Sequence, residues 1–375
     1  MDKYLHIISF DIPYPANYGG VIDVYYKLKN LHSIGVKIIL HCFKYNDKKE
    51  APELNEICEK VYYYKRNTTL LAHFSYLPYT VFSRKNSDLL DNLLKDDYPI
   101  LFEGLMSCYY LSNKKLADRV KIFRECNIEH DYYRGLSKAT NNPKKKAFYV
   151  VEALKQQFFE KNINSANVIC AISTSDEKQL KCRYPEKNIK FISGFHQNDE
   201  ITSQVGLSDY ILYHANLQVE ENEIAAGYLC HEVFSKISHK CIISGLNPSQ
   251  KLKDAVSLYK NVSLIANPDK VTMETLIQNA QVNILITFQG TGLKLKLLNT
   301  VFSGRHLVVN NLMLEGSSLD DVCNIADSAQ EQILLCNKLM QIPFTEKDIE
   351  KRKQILFPHF SNRLLAEELC FCIWE

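Results

Sequence analysis

The chain has 375 residues, 46 % of them apolar, and exceeds the ~250–300 at which a single hydrophobic core stops growing, so two domains are expected. Its 45 basic and 43 acidic residues leave a net charge of +2, which excludes both the electrostatic footprint of a nucleic-acid binder and a polyanionic tail. Twelve cysteines without metal-ligand spacing, a polar start at Met1–Asp11 and no apolar run of ~18–20 residues predict reduced thiols in a cytoplasmic protein, soluble or at most bound to a membrane surface.

Tyr4–Phe10 reads as a buried strand that runs into Pro13, Pro15 and the pair Gly19-Gly20. Apolar residues at helical spacing over Val21–Leu31 then make the first connection a long, glycine-bearing βα loop. It lacks the GxGxxG of dinucleotide binders, which argues against a nicotinamide or flavin enzyme. Strands follow at Val36–Phe43 and Val61–Tyr64, and this strand, helix, strand order implies a parallel sheet. Asn67–Tyr98 reads as helical material interrupted by aromatic residues. Pro99–Phe102 makes a strand ending in Glu103-Gly104, and Ile122–Phe123 another, followed by the polar cluster Arg124, Cys126, Asn127, Glu129 and His130. A cluster placed directly after a strand sits at the carboxyl end of the sheet, where open α/β folds bind ligands. Pinning a surface loop is an equal alternative for it.

After the basic turn at 141–146, a long helix is expected over Phe148–Asn162. Its apolar Val151, Leu154 and Phe158 recur at three and four, leaving Glu152 and Glu160 on or beside its polar side, where such glutamates are ordinarily solvated. Val168–Ile172 is a strand stopped by Ser173, with Ser175 and Asp176 capping the next helix, and Ile189–Ile192 is a further strand. Residues 193 to 208 lose periodicity. We place one domain at 1–195, a second at 208–355 and a terminal helix at 356–375.

The alternation restarts at Tyr210–Tyr213, with Asn216 in the turn that follows. Cys241–Ile243 leads to Gly245, and Asn247 lies in a loop that puts Ser249 at a helix N-cap. The chain then reaches an apolar strand, Val282–Phe288, a turn on Gly290 and Gly292, and a helix that closes at Gly304. Free N–H groups at that helix start, close backbone approach at the glycines, and the charges of Lys294 and Lys296 suit a phosphate or diphosphate.

Six segments carry a resemblance: FDIPYPANYGG (10–20), RECNIEHDYY (124–133), ISTSD (172–176), YILYHANLQVEEN (210–222), ISGLNPS (243–249) and the stretch from Gly290 to Val309. Together they resemble the bacterial family 4 (group 1) glycosyltransferases of the retaining GT-B type, over nearly the whole chain. The resemblance implies an α/β fold of two Rossmann-like domains facing a cleft, with the terminal helix crossing back to the first domain. It implies a hexosyltransferase whose first domain receives a saccharide or lipid-linked saccharide acceptor and whose second holds a nucleoside diphosphate sugar.

By that likeness Gly19 and Gly20 lie near the transferred sugar or its phosphates, Asn216, Gly245 and Asn247 near the donor, Lys294 or Lys296 on the diphosphate beside Gly290 and Gly292, and Asn299 on the ribose. Cys126, Asn127, Glu129 and Thr291 fall on the catalytic positions. Departures stand out. The family's two glutamates eight positions apart become Thr291 and Asn299, its histidine becomes Cys126, and a frequent basic residue becomes Leu246. No Asp-x-Asp motif is present, in keeping with a metal-independent reaction without cofactor. Two alternatives stay open: a catalytically weak nucleotide-sugar-binding subunit of a glycan assembly complex, and a nucleotide-sugar epimerase using Glu103 and Glu129.

Overall fold

The computed structural model describes every residue except 1, 46, 47, 70, 71, 73, 141 and 289–293. The chain divides into two compact units, one running to Gln197 and completed by His359–Glu375, the other opening at Asn198 and ending at Pro358.

Unit 1 holds β1 (Tyr4–Ser9), α1 (Gly19–Ser33), β2 (Lys37–Lys44), β3 (Lys60–Lys65), β4 (Ile100–Glu103), β5 (Lys121–Arg124), α2 (Glu129–Ala139), α3 (Pro143–Phe159), β6 (Val168–Ala171) and β7 (Asn188–Phe191). The strands form one sheet in the order β3-β2-β1-β4-β5-β6-β7, every neighbouring pair parallel. Alternate residues feed two cores. Leu5, Ile7, Ile38 and Leu40 pack under Val21, Val24 and Leu28 of α1, whereas Ile8, Phe43, Phe102 and Phe123 line the opposite face. Burial on both faces explains why these strands read as continuous apolar runs.

Unit 2 repeats the plan with β8 (Tyr210–Ala215), α4 (Glu220–Tyr228), β9 (Lys240–Gly245), β10 (Val262–Ala266), β11 (Val282–Leu285), α5 (Leu295–Ser303), β12 (His306–Val309) and the two-residue β13 (Asn324–Ile325). Its order is β10-β9-β8-β11-β12-β13, again all parallel. In both sheets the strand order reverses once, between β1 and β4 and between β8 and β11. Ligands of doubly wound sheets bind outside the carboxyl ends of the strands at such a reversal.

The terminal helix α6 (Asn362–Trp374) belongs to unit 1, where Leu365, Ala366 and Leu369 join the core that α1 covers. His196 secures its start: its Nε2 lies 2.7 Å from the Phe360 carbonyl, and its own carbonyl accepts from the Asn362 side chain at 2.7 Å.

Several sequence expectations need correction. Gly19 and Gly20 are the first two residues of α1 rather than loop, because the extended Tyr18 already starts the helix. Ser173, not Ser175, is the cap of the helix Thr174–Arg183, accepting the Asp176 N–H at 3.0 Å. The strand expected to reach Phe288 ends at Leu285.

The largest departure is α3, which lies the other way up. Glu152, Ala153, Gln156 and Phe159 face inward, while Val151, Leu154 and Phe158 face out. Glu152 accepts the Tyr79 N–H at 2.8 Å and pairs with Lys155 at 3.0 Å, and Gln156 donates to Thr80 at 2.9 Å. Those bonds satisfy the polar groups that burial would otherwise penalise. Glu160, just beyond the helix, is buried as well, paired with His130 and Arg183.

Candidate functional site

The carboxyl end of the unit 1 sheet is built around a buried charge cluster. Lys27 Nζ, on the inner face of α1, donates to both oxygens of Glu103 at 2.7 and 2.8 Å and to Asp23 at 3.1 Å. Asp23 also accepts from Arg124 at 3.4 Å and from the Phe195 N–H at 2.7 Å, and Arg124 donates to the carbonyls of Ile192 and Ser193. All four charged side chains are buried. Burial opposes the Asp23 charge, but Lys27, Arg124 and the Phe195 N–H outweigh it and hold the carboxyl below its ordinary value. Ligand atoms of Asp23, Glu103 and Cys126 lie within 4.8 Å of one another. The Lys27 ammonium, bonded to both carboxylates, already supplies the positive charge that a metal ion would bring to this trio.

Of the residues picked out in the first half, Cys126 sits half-buried over Gly104, whose φ of +68° needs glycine and where a Cβ would come within 3.5 Å of its Sγ. Burial, then Glu103 and Asp23, push the thiol well up, so it stays protonated. Asn127 is partly exposed in the same short loop. Glu129 opens α2, buried, and its carboxyl is raised to about 7 by burial, with Arg84 pulling the other way. Arg84 donates to the Phe10 carbonyl at 3.0 and 2.8 Å, fixing the loop after β1. Gly20 is tightly packed, since a Cβ there would fall 2.7 Å from the Phe10 ring and displace it, whereas Gly19 faces open space. His130 is pinned by Glu160 at 2.9 Å.

In unit 2, the Asn216 side chain accepts the Gln218 N–H at 3.1 Å and its carbonyl accepts from Asn222 Nδ2 at 3.0 Å, which sets the entry into α4. Asn222 in turn accepts a hydrogen bond from Lys296 Nζ at 2.8 Å, and the same ammonium lies 5.9 Å from the Tyr213 ring centre. Burial lowers Lys296 to about 8, partly opposed by Glu221. His214, 2.9 Å from the Thr300 hydroxyl, is lowered to about 3 by burial and then by the Lys296 charge, so it is neutral. Glu221 accepts from the Thr287 hydroxyl and from the Phe288 N–H at 3.3 Å, tying α4 to the segment after β11.

Lys294 is the N-cap residue of α5 and Asn299 bonds Asn198 at 3.0 Å. Gly245 is a packing glycine: a Cβ there would collide with the Ala215 carbonyl at 2.0 Å. Asn247, at φ 47°, donates its N–H to Asn267 at 2.7 Å. Gly290, Thr291 and Gly292 lie outside the described residues. The structure thus gathers Cys126, Glu129 and Gly20 around the reversal in unit 1, and Asn216, Lys294 and Lys296 around that in unit 2. Sequence reading missed Asp23, Lys27, Arg84, Glu221 and Asn222. The three in unit 1 carry no spacing signal, whereas Glu221 and Asn222 stand in a segment already singled out.

No family model matches the chain. A Klebsiella pneumoniae protein described as an uncharacterized 44.6 kDa protein in cps region is 26% identical over 373 residues, covering 95% of this chain and 94% of that protein. Among solved structures, sucrose-phosphate synthase from Thermosynechococcus elongatus superposes with a TM-score of 0.69 at 13% identity, covering 98% of each chain. TarM does so at 0.70 and 10% identity, over 100% of this chain and 99% of that one. A UDP-forming alpha,alpha-trehalose-phosphate synthase from Burkholderia xenovorans, in complex with glucose-6-phosphate, gives 0.67 and 10% over 100% of both. The chain has the GT-B fold, built from two Rossmann-like units.

Proposed function

We propose that the protein is a retaining glycosyltransferase that moves a hexose from a nucleoside diphosphate sugar to a hydroxyl of a saccharide or lipid-linked saccharide, without a metal ion or other cofactor. The observation that carries this reading is the start of α5. The helix starts at the sheet reversal of unit 2 with Lys294 at the N-cap and Lys296 anchored by Asn222, an arrangement suited to a diphosphate. In the reaction the bond from the anomeric carbon to the diphosphate oxygen breaks and a bond to the acceptor oxygen forms. Negative charge builds on the leaving diphosphate, where a preorganised cation and N–H groups stabilise it. Unit 1 takes the acceptor in this reading, with Glu129 a carboxyl near half-ionisation at neutral pH, able to accept the proton of an acceptor hydroxyl. Family 4 membership is part of the same proposal, as are the roles of Thr291, Gly290 and Gly292.

Melting the protein with UDP-, GDP-, ADP- and dTDP-sugars tests the reading. A matching donor at a hundredfold excess over its Kd should add about 2.7 kcal/mol. No shift with any of them would sink the donor site. Product analysis with chelator present then separates transfer with retention from binding without turnover and from epimerised sugar.

A further inference from the structure

We infer that the outward face of α3 is a docking surface for an anionic lipid bilayer. The helix presents Ala147, Val150, Val151, Leu154 and Phe158 to solvent, a spacing of three, one, three and four that keeps them on one side, and Phe158 is 70 % exposed. Two of its polar residues, Glu152 and Gln156, point the opposite way, into unit 1, where they are bonded to Tyr79 and Thr80. A helix that folds with its apolar stripe outward leaves uncovered what folding ordinarily hides. Unit 1 also exposes Tyr76 and Phe74, at 86 and 85 %.

Charge decides which occupant fits. Lys144, Lys145 and Lys146 form the exposed first turn of α3, Lys138 lies near the end of α2, and Lys161 stands 5.8 Å from the Phe158 ring. From residue 132 to 161 the acidic residues are Glu152 and Glu160, both buried and bonded within unit 1. The face is thus apolar at its centre and basic at both ends, with no acidic residue exposed in that segment. An amphipathic helix of this kind lies in a membrane interface with its apolar side among the acyl chains and its lysines at the headgroups. A protein partner of ordinary composition supplies no reason for a lysine turn at one end, whereas phosphate headgroups do. The chain has no helix, among the described residues, long and apolar enough to cross a membrane, so such attachment is peripheral. The inference rests on this face alone and not on the transfer reaction.

Flotation of the full chain with vesicles tests it, without donor or acceptor. Wild type should float with phosphatidylcholine–phosphatidylglycerol vesicles and stay behind with phosphatidylcholine alone. Each lysine of the trio changed to alanine should lower partitioning about fivefold. Leu154→Glu with Phe158→Glu, both at exposed positions, should abolish flotation while leaving the melting temperature in place. Wild type failing to float on anionic vesicles would overturn the proposal, and so would equal flotation of the glutamate variant. A wild-type dimer in light scattering that the same glutamates convert to monomer, with no vesicle binding, would assign the face to a second copy instead.

Discussion

In unit 1 two carboxylates and two cations are buried together and neutralise one another, so that Lys27, Glu103, Asp23 and Arg124 form a closed set. In unit 2 the same position in the fold holds Lys296 against the neutral oxygen of Asn222, with Glu221 engaged by Thr287. A compensated cluster has nothing left to offer a ligand and serves to lock α1 to β4 and β5. An under-compensated cation costs the fold stability and is available to an anion. The two sheet reversals that sequence patterns make look alike therefore differ in chemistry, and under the proposed function the difference favours unit 2 for the phosphates of the donor.

The sharpest way to break this contrast is to open the closed set. Lys27→Met leaves Glu103 buried without its cation, and removing one member of a buried pair costs about 3–5 kcal/mol, read as a loss in chemical denaturation. Adding Glu103→Leu should restore most of it, because no charge is then left alone. A single-variant loss well under 1 kcal/mol would mean that water reaches the cluster.

Glu129 sharpens the comparison from the acidic side. Its carboxyl rises from 4.5 to about 7 on folding, a shift worth about 3 kcal/mol. Because the folded state holds the proton more tightly, that contribution is fully present below pH 4.5 and is lost as pH rises through about 7. Glu129→Gln should remove the slope across that window and leave the variant more stable than wild type at pH 8. Parallel curves would show an ordinary carboxylate.

How far such contrasts could be read beforehand depended on range. Strands, helices and their alternation follow from apolar runs and local periodicity, and that is why the GT-B plan and the helix opening near Lys294 are legible. Periodicity identifies the apolar side of a helix but not which side faces in. For α3 that was decided by Tyr79 and Thr80, some seventy residues upstream, through bonds to Glu152 and Gln156. The closed charge set was invisible for the same reason: Lys27 meets Glu103 across 76 residues and Asp23 meets Arg124 across 101. Lys296 was legible as a cation near glycines, but its tie to Asn222 was not.

Lys296→Met tests the under-compensated side. Folding lowers this lysine from 10.5 to about 8, so the folded state is penalised at neutral pH and relieved as pH climbs from about 8 towards 10.5. The variant should therefore melt slightly higher at pH 7. Donor binding and kcat/KM should both fall, by about 2 kcal/mol, the scale of one charged hydrogen bond. Higher stability with unchanged donor affinity would move the phosphate site elsewhere, with Lys294→Ala the next variant to measure.

The smallest effect is expected at Cys126, between the closed set and solvent. A histidine in this place could share a proton or hold a sugar hydroxyl through a ring nitrogen. The thiol does neither well, being held protonated by burial and by the nearby Glu103 and Asp23, with its sulfur packed over Gly104. Serine keeps the size and a hydroxyl donor, so Cys126→Ser should leave turnover within about twofold and cost about 1 kcal/mol or less of stability. Iodoacetamide should likewise inactivate slowly, since it needs the thiolate that Glu103 and Asp23 disfavour. If turnover collapses while the melting temperature holds, the sulfur touches the reacting sugar directly, and the neutral closed set beneath it would have to be counted as part of the reaction site after all.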